Sequence, residues 1–243
     1  MYWSQLITHK PPATLVADLH GRGLEFLHLG DAWGDVNLDY YPVRISELPT
    51  VDGHQFTAQD LIEHVRANID DFVDTDNSSF PFLDPAIDGP TWGSDNPVGT
   101  VIDINVNVAG LLGLPPWEVF IDHSLVACSG ADENRWIFSA MRGGSAAAHP
   151  VSGNRMFAIE ESGEDWILYT MGADRATSFL DWTANSVGLL WKGADQLWAG
   201  LQERVANFVN EKDGAAYVAP RHSRRYSWKV IEQTLGLPPE VKL

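Results

Sequence analysis

The run His149-Pro150-Val151-Ser152-Gly153-Asn154-Arg155 sets an imidazole, a hydroxyl, an amide and a guanidinium within seven residues. An arginine fork is a planar donor suited to a carboxylate or phosphate. A histidine titrates near neutral pH and serves as general acid or base. Pro150 and Gly153 fix the turn, so these groups are held in place. Farther on, Tyr169, Asp174 and Arg175 follow a hairpin. If its two strands pair, Arg155 comes opposite the segment 171–175. His149, Asn154, Arg155, Asp174 and Arg175 then share one rim. The chemistry expected is anion or carbonyl binding. His149 and Asp174 are the catalytic candidates; Asn154, Arg155, Tyr169 and Arg175 are the ligand contacts. A plainer arrangement stays open: Arg155 pairs with Asp174 or Glu160, Arg175 ties down the chain, and His149 only braces its turn. On the functional reading, His149→Ala and Arg155→Ala lower binding or turnover more than stability.

The elements that must hold these groups are strands. Arg155 to Glu160 and Trp166 to Met171 read as a hairpin around Glu161-Ser162-Gly163-Glu164. Arg135 to Met141 and Trp117 to Cys128 read as strands. Val101 to Val108 alternates, with Ile102, Ile104, Val106 and Val108 on one face. Trp191, Ala194, Leu197, Trp198, Leu201, Val205, Phe208 and Val209 mark one face of a long helix. Earlier, Thr57 and Asp60 open a helix over 57–73. Leu24 to Leu29 and Tyr40 to Ile45 are expected strands, and Pro42 argues for an edge.

The pattern predicts an α+β fold. A curved antiparallel sheet of five or more strands packs against a long C-terminal amphipathic helix, with one earlier helix. The chain is expected to be a single domain, 1–243. Residues 1–56 form an N-terminal strand and loop extension, 74–98 a long loop, 98–210 the sheet-plus-helix core, and 220–243 a basic tail.

Composition narrows the function classes. Apolar residues make up 44% and aromatic residues 11% of the 243 residues, enough for a sizeable core. Thirty-three acids against sixteen bases give a net charge of −17, which disfavours nucleic acid and anionic lipid as partners. Cys128 is the single cysteine, so no intrachain disulfide forms, and it reads as an inert buried thiol. No apolar run is long enough to span a membrane. The N-terminus lacks a basic n-region and an apolar h-region, so a cytoplasmic protein is expected, with leaderless export left open. No phosphate loop, dinucleotide fingerprint, HExxH or nucleophile elbow is present, and no cofactor or metal is expected. The acids Asp70, Asp71, Asp74, Asp76, Asp84 and Asp88 lack the spacing of a calcium loop.

Tryptophans divide into two groups. Trp136, Trp166, Trp182, Trp191 and Trp198 fall on the expected sheet and helix, as core or as an aromatic pocket wall. Of these, Trp136, Trp166 and Trp198 are the ligand-contact candidates. Trp3, Trp33 and Trp92 fall in polar segments and suit a contact surface.

The run His149-Pro150-x-x-Gly153-x-Arg155-x-Phe157, with the hairpin and long helix after it, resembles START-like (helix-grip, polyketide-cyclase-like) bacterial proteins. The resemblance covers 98–210, and residues before 98 have no counterpart in it. It implies a cavity between sheet and helix that takes a small molecule, and a few such proteins are cyclases or hydrolases. Three readings stay open. One is a binder of a small apolar or aromatic ligand whose polar end meets Arg155 or Arg175. Another is a bacterial interaction or effector-type protein using loop 74–98 and the loop tryptophans. The third is an enzyme in the same cavity. A homo-oligomer is a possible assembly.

Overall fold

A computed structural model describes residues 2–107, 121–143, 149–178 and 189–237. Val108, the strand start at Trp117, the corner residues 144–148 and Trp182 lie outside the described residues. So do residues 238–243 of the expected basic tail and the side chain of Trp191.

The chain opens with helices α1 (Tyr2–Thr8) and α2 (Ala13–Gly21), the second beginning after a Pro-Pro pair. Strand β1 (Leu24–Phe26) stops short of the expected Leu29, which instead begins a 3-10 turn, Leu29–Asp31. Strand β2 (Trp33–Glu47) follows. Asp52 and Gly53, both at positive φ, turn the small hairpin β3 (Thr50–Val51) and β4 (His54–Gln55). Helix α3 (Ala58–Ala67) starts at a complete capping box of Thr57 and Asp60, as the sequence indicates. The rest of the helical pattern becomes a 3-10 turn, Ile69–Phe72.

The expected long loop holds β5 (Ser78–Ser79) and helix α4 (Asp88–Trp92). Two acids in and just before it are engaged in the fold. Asp70 accepts from the Phe80 N–H at 2.9 Å, and buried Asp88 takes Arg22 in a fork at 3.1 and 2.9 Å. Strands β6 (Val101–Asn107), β7 (Ile121–Asp132), β8 (Arg135–Gly143), β9 (Val151–Ser162) and β10 (Asp165–Ala176) come next. Helix α5 (Leu189–Glu211), strands β11 (Ala215–Val218) and β12 (His222–Tyr226) and helix α6 (Trp228–Leu235) complete the described chain.

The antiparallel strands follow the order β11-β2-β10-β9-β8-β7-β6-β5, with β1 on β8 and β12 on β2. Two expectations are corrected by this order. β2 sits inside the sheet beside β10, so the sheet extends beyond 98–210 into the N-terminal 56 residues. Pro42 is not at an edge. It falls where the neighbouring strand changes from β11 to β12, and there it needs only its carbonyl, which accepts from the Ala219 N–H at 3.0 Å. A proline lacks only the donor, so an interior strand tolerates it at such a break.

Alternation along the strands gives the sheet two faces. On the inner face Tyr41, Val126, Trp136, Phe138, Phe157 and Leu168 pack against α3, α4 and α5. Trp92 is buried there, stacked on Phe138 at 5.6 Å, and its indole N–H donates to the Arg66 carbonyl at 3.0 Å. Trp3 packs half-buried on the outer face, and of the three loop tryptophans Trp33 alone is exposed, at 40%. On the outer face Met156, Tyr169 and Met171 meet Leu6 of α1 and Trp228 of α6. Cys128 is buried, and burial pushes its thiol up to about 12. No helix among the described residues is long and apolar enough to cross a membrane.

Gln202 of α5 is fully buried, and neither of its amide atoms has a hydrogen-bond partner among the described residues. An unsatisfied buried amide costs roughly 1–3 kcal/mol. Gln202→Met keeps the shape and removes the polar atoms. It is expected to stabilise the protein by about 1 kcal/mol, a rise in Tm of about 2–4 °C by thermal unfolding.

Candidate functional site

Register across three strands builds the site. Arg155 on β9, Gly172 on β10 and Asp39 on β2 stand in one row across the sheet. Gly172 has no side chain, so Arg155 lies across β10 and reaches Asp39. A Cβ at Gly172 would collide with the guanidinium. Both fork nitrogens donate to Asp39, each at 2.9 Å. Asp174, two residues past Gly172 on the same face, receives Nη2 at 3.3 Å. Asn37 donates to Asp39 at 3.1 Å. The guanidinium lies over the Trp198 ring of α5, 4.4 Å from its centroid.

All three charged groups are buried. Burial alone would lower the Arg155 pKa, but the charges of Asp39 and Asp174 outweigh it and raise it. Burial pushes the Asp174 carboxyl up to about 7; Arg155 opposes the rise and Asp39 adds to it. Tyr41, which donates to Asp195 of α5, is raised by burial and then by Asp39.

A cavity of about 120 Å³ opens between the inner face and α5. Its wall is apolar: Ile104, Val126, Phe138 and Leu197. The same lining carries the polar groups His149, Arg155 and Asp174, with Trp198 over the guanidinium. The backbone at Gly153 forms part of the lining, and its close approach to Ala173 and Asp174 leaves no space for a Cβ. The Val151 N–H donates to Nδ1 of His149 at 3.1 Å, which puts the ring proton on Nε2. Burial pushes the imidazole down to about 4, and the Arg155 charge acts in the same direction. His149 is therefore neutral and presents a donor.

His149, Arg155, Asp174 and Trp198 are thus brought together, and the other candidates are not. Asn154, one residue from Arg155, faces the outer side. It accepts from Ser139 at 2.5 Å and donates to the Leu6 carbonyl at 2.9 Å. Tyr169 lies in the outer cluster, 5.1 Å from Tyr40. Arg175 is also outward. It donates to the carbonyls of Gly34 at 3.0 Å and Leu29 at 2.5 Å and covers Trp228. Alternation is the reason in each case. Trp136 is stacked on Phe157 at 4.6 Å within the core, and Trp166 packs half-buried against that core. Neither lines this cavity. Sequence reasoning missed Asp39 and Gly172. Asp39 sits in an alternating run, Val36-Asn37-Leu38-Asp39-Tyr40, whose polar side reads as solvent-facing.

No family model and no curated protein matches the sequence. Solved structures do match. The chain is similar to a crystal structure of Ara h 8.0201, with TM-score 0.41 and 10% identity over 71% of this chain and 99% of that one. It is similar to the Zhui aromatase/cyclase from Streptomyces sp. R1128, with TM-score 0.43 and 12% identity over 73% and 94%. It is also similar to truncated norcoclaurine synthase from Thalictrum flavum, with TM-score 0.38 and 11% identity over 71% and 96%.

The pairing of Arg155 with Asp174 that the sequence left open is present, and Asp39 completes the cluster. Arg155 holds two buried carboxylates apart, so removing it strands them. Arg155→Met is expected to lower stability by about 3–5 kcal/mol in denaturant unfolding, with Gly172→Ala acting in the same direction.

The titrating pair gives a second test. Asp174 moves from an ordinary 3.8 to about 7 on folding, so its contribution to stability is present below about pH 4 and lost as pH rises through about 7. His149 moves from 6.5 to about 4, so its contribution is present above about pH 6.5 and lost as pH falls through about 4. The two oppose each other across the same window. Relative to wild type, Asp174→Asn makes stability rise more with pH between about 4 and 7, and His149→Gln makes it rise less. Denaturant unfolding at several pH values checks both signs.

Proposed function

We propose that this protein binds a small molecule in the cavity between the sheet and α5. The apolar body of the ligand lies against Phe138, Val126 and Leu197, and its polar end meets His149 and Asp174. One observation supports this reading most: a mostly apolar cavity ends in a fixed polar cluster that other side chains already hold in place. Binding sites of this kind combine an apolar wall with a few oriented polar groups. Arg155 takes the role of a support, because Asp39 occupies its fork.

Catalysis in the same cavity is the second reading. It is favoured by Asp174, whose carboxyl at about 7 can both take and give a proton near neutral pH. His149 would then donate through Nε2 and orient the reacting group. The interaction reading has less support, since Trp92 is buried and Trp3 is packed on the outer face.

Native mass spectrometry of the purified protein tests the binding reading. A retained small molecule of defined mass is expected on the wild type. Ala194→Leu, which fills the cavity from α5, is expected to lose it while remaining folded. Wild type that is free of ligand and binds nothing in a fragment screen overturns the proposal.

A further inference from the structure

We infer that the ligand carries an organic cation, a primary ammonium or similar group, which docks against Asp174 at the polar end of the cavity. This rests on the small-molecule reading above and names the chemical class that the site selects.

The argument begins with charge. The cluster contains one guanidinium, Arg155, and two carboxylates, Asp39 and Asp174. Asp39, Asp174 and Thr170 take both terminal nitrogens of Arg155, so its fork is not open to a ligand carboxylate. An anionic ligand would enter a buried site that already holds surplus negative charge, at a high desolvation cost. A neutral ligand leaves the surplus in place. A cation balances it.

Geometry selects Asp174 as the partner. Asp39 is closed off by Arg155 and Asn37, whereas Asp174 lines the cavity. Its Oδ2 accepts from Arg155, and its Oδ1 accepts from none of the described residues. The aromatic rings of Phe138 and Trp198 in the same lining suit the remainder of an organic cation.

Among the described residues, the charged and titratable groups of this cluster and of the elements packed on it are these. Arg155 comes from β9, Asp39 and Tyr41 from β2, Asp195 from α5, and His149 from the segment before β9. His149 is neutral, so it does not compete with an incoming cation. Below about pH 7 the proton held by Asp174 offsets the surplus, and there the ligand cation displaces it.

Benzylamine, benzyl alcohol and benzoate share one ring and differ in the head group. A cavity near 150 Å³ holds a benzene ring, and this one, at about 120 Å³ and open on one side, admits most of it. Isothermal titration at about pH 8 is expected to rank benzylamine about tenfold or more above benzyl alcohol, with benzoate weakest. Benzylamine is expected to bind about tenfold more weakly at about pH 6, where Asp174 holds its proton, and to release a proton on binding there, read from two buffers of different ionisation enthalpy. Asp174→Asn is expected to bring benzylamine down to the level of benzyl alcohol. Should that variant not fold, the wild-type ranking and the proton release decide alone. Preference for benzoate or benzyl alcohol, or an amine preference that survives Asp174→Asn, overturns the inference while leaving the cavity reading intact. No binding by any of the three at millimolar concentration overturns the cavity reading and the inference with it.

Discussion

A guanidinium buried between two carboxylates must find its whole charge balance inside the protein. Arg155 does this with Asp39 and Asp174 on the inner face of the sheet. Such a cluster is weak evidence for stability as such, because desolvation cancels much of the attraction. It is strict about geometry, however. The pair forms only if β2, β10 and β9 hold the register that sets Asp39, Gly172 and Arg155 in one row. A slip of one residue on any of these strands would turn a charged group to the opposite face.

The same cluster ties the helix to the sheet. Trp198 of α5 covers the guanidinium, and Asp195, about one turn earlier, receives the Tyr41 hydroxyl from β2. The position of α5 is thus set by polar contacts as well as by the apolar stripe of Leu197, Leu201, Val205 and Val209. The space left between this helix and the sheet is the cavity. Small residues keep it open: Ala140, Gly153 and Ala194 line it where larger side chains would fill it.

The outer face explains why Asn154 and Arg175 have no part in the site. Asn154 holds α1 through the Leu6 carbonyl, and Arg175 holds the 3-10 turn before β2 and covers Trp228 of α6. Both ends of the described chain therefore pack on the side away from the cavity. The polar residues between His149 and Arg175 are shared between two tasks, one on each face.

The local pattern determined much of this protein. The capping box at Thr57, the hairpin of β9 and β10, the alternation of β6 and the apolar stripe of α5 all depend on residues close in sequence, so periodicity and turn chemistry reveal them. The corner at His149 and its closeness to Asp174 follow from the same hairpin. Other features depended on pairings between distant segments. Asp39 and Arg155 are 116 residues apart, and nothing near Asp39 distinguishes it from a solvent-facing acid. The role of Gly172 exists only because Arg155 must pass over it. The burial of Trp92 within a polar loop, and the neutrality of His149, likewise arise from neighbours brought in by the fold. Periodicity is a property of consecutive residues and is written in the chain. Burial and charge balance are properties of neighbours in space, and tertiary structure alone decides them.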